Sequence, residues 1–210
     1  MAAQPAQYEP CPVALADLQR YTADKEKLEA ENKEDSPAYA LVLTNLAACL
    51  GSQGREQEAL QLYLQAKAAH ERGGSTDSPA YADSLQNLGD QLNDEGRHDE
   101  AMGHFLAARE VYKTIGWDKS MNYAVVLHNL GVCCFRQGQK SEAMEYYQAA
   151  KAAYGEVLLG EESPQFEELL QDMDEVGMEV SGNTNKPDSE PPSLLDAESE
   201  KSAVHLEVLD

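Results

Sequence analysis

Three stretches of this chain, each 42 residues after the last, carry the same landmarks in the same order. Tyr39, Tyr81 and Tyr123 open the series, and Asn45-Leu46, Asn87-Leu88 and Asn129-Leu130 follow. Then come Gly54, Gly96 and Gly138; Ala59, Ala101 and Ala143; the rings Tyr63, Phe105 and Tyr147; and Ala66, Ala108 and Ala150. Ser-Pro-Ala-Tyr stands whole at 36–39 and 78–81, and a fourth start, Ser163-Pro164-Gln165-Phe166, falls one residue late. A fixed period of this length narrows the fold sharply, because each copy is a small unit that buries its apolar faces only against the copies beside it.

Each unit reads as two helices. Ser-Pro supplies an N-cap oxygen and a proline at the first helical position, where the missing N–H costs nothing. Leu43, Leu46, Ala47 and Leu50 in unit one, and Leu85, Leu88, Gly89 and Leu92 in unit two, then recur with helical spacing and predict one buried stripe. The glycines at 54, 96 and 138 are placed to turn the chain back in a left-handed conformation. Glu56 and Glu58 suit the positive end of the second helix's dipole. That helix has the stripe Ala59, Tyr63, Ala66, His70, repeated as Ala101, Phe105, Ala108, Tyr112 and as Ala143, Tyr147, Ala150, Tyr154. Alternating small residues and rings lets one helix approach closely while its neighbour's ring fills the remaining gap.

Leu-Ala or Leu-Gly in the first helix, a turn glycine eight residues past the leucine, and Ala, ring, Ala in the second helix resemble the tetratricopeptide repeat. The 42-residue period, the Asn-Leu pairs and the linker VLLGEESP (157–164) look like the long-repeat variety of kinesin light chains, whose linker usually has His before Pro where this chain has Ser163. The resemblance spans about residues 36–178. It implies an all-α, right-handed solenoid of antiparallel helix pairs whose first helices line a concave groove for peptides or helices. The expected organisation is units at 36–77, 78–119 and 120–162, with a capping helix at 163–178. Residues 1–35 are expected to hold a helix from Val13 to Lys33, a degenerate half-repeat. There Leu18, Tyr21 and Leu28 face the first unit, but Asp17 and Asp24 stand where alanines belong.

Residues 161–210 carry 15 acids against Lys186 and Lys201, within a chain of net charge −22. The stretch 179–210 is polar, acidic and free of aromatics, and cannot bury enough apolar area to offset its ordering entropy, so a disordered tail is expected. Its Leu194-Leu195 pair fits a sorting pattern and Ser193 an acidophilic kinase site, both short enough to arise by chance. The overall charge disfavours nucleic acid and anionic lipid. No apolar run is long enough to span a bilayer, so no membrane insertion is expected. Cys11, Cys49, Cys133 and Cys134 lack metal-ligand or disulfide-framework spacing and read as reduced thiols of a cytoplasmic protein. No phosphate-cradling loop, zinc set or catalytic constellation is legible, so neither cofactor nor catalysis is expected.

The chemistry left is recognition of a protein or peptide. A second face runs along each first helix: Thr44 and Ala48, beside Leu41, in unit one; Asp83, Gln86, Asp90, Asn93 and Asp94 in unit two; Val125, His128, Val132, Phe135 and Arg136 in unit three. The resemblance puts this face on the concave side. Co-chaperones of the family hold heat-shock-protein carboxylates with Lys, Asn and Arg at the positions of Thr44, Ala48, Asp90, His128 and Val132. None is retained, so that clamp is not expected. Asp83, Asp90 and Asp94, taken as solvent-facing, favour a ligand with basic residues, and Val125, Val132 and Phe135 offer it an apolar landing area. Trp117, between units two and three, is expected to pack into the joint there.

Overall fold

The computed structural model describes residues 12–158 and 163–182. Among these residues every regular element is helical: α1 (Pro12–Ala30), α2 (Pro37–Gly51), α3 (Glu56–Arg72), α4 (Pro79–Asp94), α5 (His98–Thr114), α6 (Met121–Arg136), α7 (Lys140–Leu158) and α8 (Pro164–Gly182). Pairs α2/α3, α4/α5 and α6/α7 are the helical hairpins read from the repeat, and each packs on the next pair in line. Residues 183–210, which hold nearly all of the expected tail, lie outside the described residues, as do Cys11 and positions 159–162 of the last linker. Residues 179–182 continue α8.

The caps and turns form as their residues dictate. Ser36, Ser78, Ser120 and Ser163 each accept the backbone N–H three residues on, at 3.1–3.3 Å, so the cap persists at Ser120 where the proline has become Met121. Gly54, Gly96 and Gly138 take φ of 72°, 75° and 79° inside the hairpins. A second set of left-handed residues, Asn32, Gly74 and Gly116, turns the chain between hairpins. These three also stand 42 apart, so the repeat extends back into α1.

Close approach inside each hairpin depends on a small residue facing a ring. A Cβ added to Gly89 would lie 2.6 Å from the Phe105 ring, and one added to Gly131 would lie 2.4 Å from Tyr147. Unit one has Ala47 at this position, and its ring Tyr63 is 7% exposed, whereas Phe105 and Tyr147 are fully buried. Unit one thus accommodates the extra methyl with a ring slightly more exposed than its counterparts. His70 fills an aromatic slot as expected, buried with its ring edge-on to Tyr81 at 5.6 Å and Nδ1 2.9 Å from Ser75 Oγ.

Trp117 does not pack into the joint: it is 46% exposed. Gly116 turns the chain so that the Trp117 N–H closes onto Tyr112 O at 2.7 Å, and the inward position of the linker goes to Ile115, which packs against the core.

Gly131→Ala is expected to lower stability by about 1–3 kcal/mol, because the added methyl overpacks Tyr147 by more than alanine's helix preference of about 1 kcal/mol recovers. Urea denaturation measures it, and an unchanged or raised midpoint would mean that Tyr147 yields as freely as Tyr63.

Candidate functional site

The first helices of the units, α2, α4 and α6, lie side by side with α8 in one row, each touching the next. Their stripes of Leu, Ala and Gly turn toward α3, α5 and α7, which leaves the second face of each helix to form a continuous inner surface. Polar side chains tie this row together. Thr44 Oγ1 lies 3.1 Å from Ser84 Oγ. Asp83 accepts hydrogen bonds from Asn122 Nδ2 at 2.7 Å and from the Tyr112 hydroxyl. Asp90 accepts from Asn129 Nδ2 at 2.5 Å, and the Cys133 thiol approaches Asn93 Oδ1 at 3.7 Å. His128 Nε2 lies 2.8 Å from Asp172, joining α6 to α8.

These ties separate the residues expected to be available from those that are. Thr44 and His128 are buried, at 8% and 4% exposure. Asp83, Asp90 and Asn93 are partly buried and bonded to neighbouring side chains. Asp90 is therefore not solvent-facing as its helical position suggested; Asn129 of the adjacent helix covers it. Gln86 is partly buried, and its Oε1 meets no donor among the described residues. Val125, Val132 and Phe135 are partly buried against the core. Ala48, Asp94 and Arg136 are exposed, as is Leu41 at 52%. Val125 occupies in unit three the place of Asp83, and Tyr154, which follows Tyr112 by 42, has a buried hydroxyl with no partner among the described residues.

Sequence reasoning passed over the asparagines. Asn45, Asn87 and Asn129 recur in phase on the inner row, and all three are partly exposed. An invariant polar residue beside each buried leucine was the available signal. The partners Ser84, Asn122 and Asp172 carried no such mark. Among the described residues no group of three or more His, Cys, Asp or Glu side chains could hold a metal ion. His98 Nδ1 lies 2.7 Å from Asn93 Oδ1, and burial holds the His104 imidazole below its usual pKa. Among the described residues no helix is long and apolar enough to cross a membrane.

The family model described as "Tetratricopeptide repeat" matches residues 38–114 and 80–156, more than half of the chain. Among solved structures, nearly identical TPR-like repeats from a Podosopora anserina protein assigned as a kinesin light chain superpose with a TM-score of 0.67 at 16% identity, covering 81% of this chain and 80% of that one. BtubC (BKLC) from P. vanneervenii superposes with a TM-score of 0.59 at 19% identity, covering 87% and 84%. At these identities the likeness is one of fold. No curated protein matches the chain significantly.

At the centre of the inner row, burial and then the like charge of Asp94 push the Asp90 carboxyl up to about 7, against a smaller opposing effect of the Gln86 amide. Its hydrogen-bond partner on α6 is an amide rather than a cation. An unfolded aspartate titrates near about 4, so the folded chain retains this proton to higher pH. Asp90 thus favours folding at low pH, and that contribution is lost as pH rises through about 7. Asp90→Asn, which keeps the oxygen that Asn129 meets, should raise the melting midpoint at pH 8 and leave it nearly unchanged at pH 4.5. Equal shifts at both pH values would show that Asp90 ionises freely in the folded protein.

Proposed function

The chain belongs to the tetratricopeptide repeat family, and from that premise we propose that it is a non-enzymatic adaptor whose inner face holds a segment of a partner protein. Domains of this family are generally protein–protein interaction modules. One observation carries the finer reading: Leu41, Ala48, Asp94 and Arg136 remain exposed on the same row where Thr44, Asp83 and Asp90 are tied helix to helix. The ties fix the spacing of the row before any ligand arrives, so little ordering entropy opposes binding. Asn45 and Asn87 are suited to the backbone amides of an extended segment, because each amide side chain offers both donor and acceptor. Leu41, Val125, Val132 and Phe135 suit apolar side chains, and Asp94 suits a basic one.

The acidic part of this surface is smaller than its sequence suggested, since Asp83, Asp90 and Asp172 all face internal donors. A basic ligand residue beside Asp94 would also favour ionisation of Asp90, and affinity for such a segment would rise between pH 6 and 8. A permanent place in a larger assembly is the second reading. It draws on Leu64 and Trp117, which are exposed apolar side chains away from the inner row. In either case the expected setting is the cytoplasm, where Cys49, Cys133 and Cys134 remain reduced, outside any disulfide.

A photo-crosslinking residue at position 94 should capture the partner covalently, and one at exposed Ala107 on α5 should not. Asp94→Lys should weaken binding of a basic segment about tenfold, or about 1.4 kcal/mol, without lowering the melting midpoint. Capture from position 107 alone would place the binding surface on the outer helices instead.

A further inference from the structure

Between α1 and α3 the outer side of the stack opens into a cavity of about 700 Å³, lined by Leu18, Thr22 and Lys25 of α1, Leu46 and Leu50 of α2, and Leu62 of α3 among others. The repeat explains why it is there. Adding 42 to Leu62 gives His104, and adding it again gives Tyr146; adding 42 to Thr22 gives Leu64 and then Leu106. His104 and Tyr146 are both drawn in from solvent: burial governs the His104 pKa, with Lys67, the counterpart of Lys25, close enough to act on it, and Tyr146 is 8% exposed. The first joint alone has a leucine where the two later joints have a ring, and a threonine where they have leucine. The gap is left open, larger than one ring, with leucines on its floor and Arg55, Gln57, Glu58 and Gln61 completing its lining.

We propose that this cavity is a ring-binding slot occupied by Tyr8 of the chain's own first eleven residues. That segment, MAAQPAQYEPC, lies outside the described residues and joins the slot's wall directly, since α1 begins at Pro12. Four residues of chain span up to about 13 Å, and Leu18 stands only about 9 Å along the helix from Pro12, so Tyr8 can fold back to it. Tyr8 is the segment's one ring, among Met1, alanines, prolines, Gln4, Gln7 and Cys11, with Glu9 its one charged side chain. Pro5 and Pro10 disfavour a packed helix and favour an extended run along a groove. The opposite side of α1 is a poor alternative. There Asp17 and Asp24 replace the alanines at which a preceding helix would make contact, and Asp17 is paired with Arg20 at 3.3 Å. A partner's ring could enter the same slot only by displacing Tyr8.

Methyl-labelled leucine NMR on the full chain tests this. Nuclear Overhauser contacts should connect the Tyr8 ring with methyls of Leu18, Leu50 or Leu62, and Tyr8→Ala should shift those methyls and lower the melting midpoint by a few degrees. Leu62→Tyr, which copies the third joint, should fill the slot from within, release Tyr8 to random-coil shifts and preserve the midpoint. Random-coil shifts for Tyr8 in the unmodified chain would overturn the proposal. So would Leu62 methyl shifts that vary with protein concentration, which would assign the slot to a second copy.

Discussion

Every hairpin in this stack rests on one contact, a ring of the second helix set against a residue of the first that has almost no side chain. Ala47 with Tyr63, Gly89 with Phe105 and Gly131 with Tyr147 form the series, and the alanines at 59, 101 and 143 are fully buried beside them. The small residue brings the helix axes close. Close axes in turn let the leucine stripes reach the next pair, so the main apolar core runs from Ala47 to Val176, with a second cluster of Tyr39, Ala40, Leu43, Ala66 and Ala69 in the first hairpin. A protein interior has little slack for an extra methyl, so this contact has a narrow tolerance.

The inner row is organised by a different kind of force. Between the three units its hydrogen bonds join residues 39 or 40 apart, two or three short of the period, because neighbouring first helices do not meet at equivalent residues. Each bond satisfies a polar group that packing has partly removed from water, and an unmet group there would cost about 1–3 kcal/mol. Asp90 shows the cost of doing this with a charge, since its amide partner does not replace the solvation that a carboxylate loses. The inner face is thus partly built from side chains already engaged in holding the helices in register.

The distinction explains what could be read from the chain in advance. Helix pairs, serine caps, glycine reversals and the ring stripe all recur at a single spacing, so three copies of each local rule agreed with one another. His70 could be placed in the core for the same reason: it stands where Tyr112 and Tyr154 stand. Contacts between units have no such redundancy. Asp83 meets Asn122, yet the counterpart of Asp83 in unit three is Val125, so the bond leaves no periodic trace. Asp90 was taken as open to solvent because its own helix puts it on the polar side, whereas the amide that covers it comes from α6. Trp117 was misplaced because a lone aromatic in a linker suggests burial, and only the turn at Gly116 reveals that Ile115 takes the inward position.

The tied inner row also determines how the molecule can bend. With α2, α4, α6 and α8 held together by short polar bonds, the row acts as a fulcrum, and rotation of one pair against the next opens or closes the outer joints far more than the inner ones. Rotation about such a line carries a small angular change at one joint to the far end of the stack as a displacement that grows with distance. A side chain wedged between α1 and α3 would therefore tilt α1 relative to the first pair, while the spacing along the row hardly changes. The stack works as a lever whose outer gaps set its curvature.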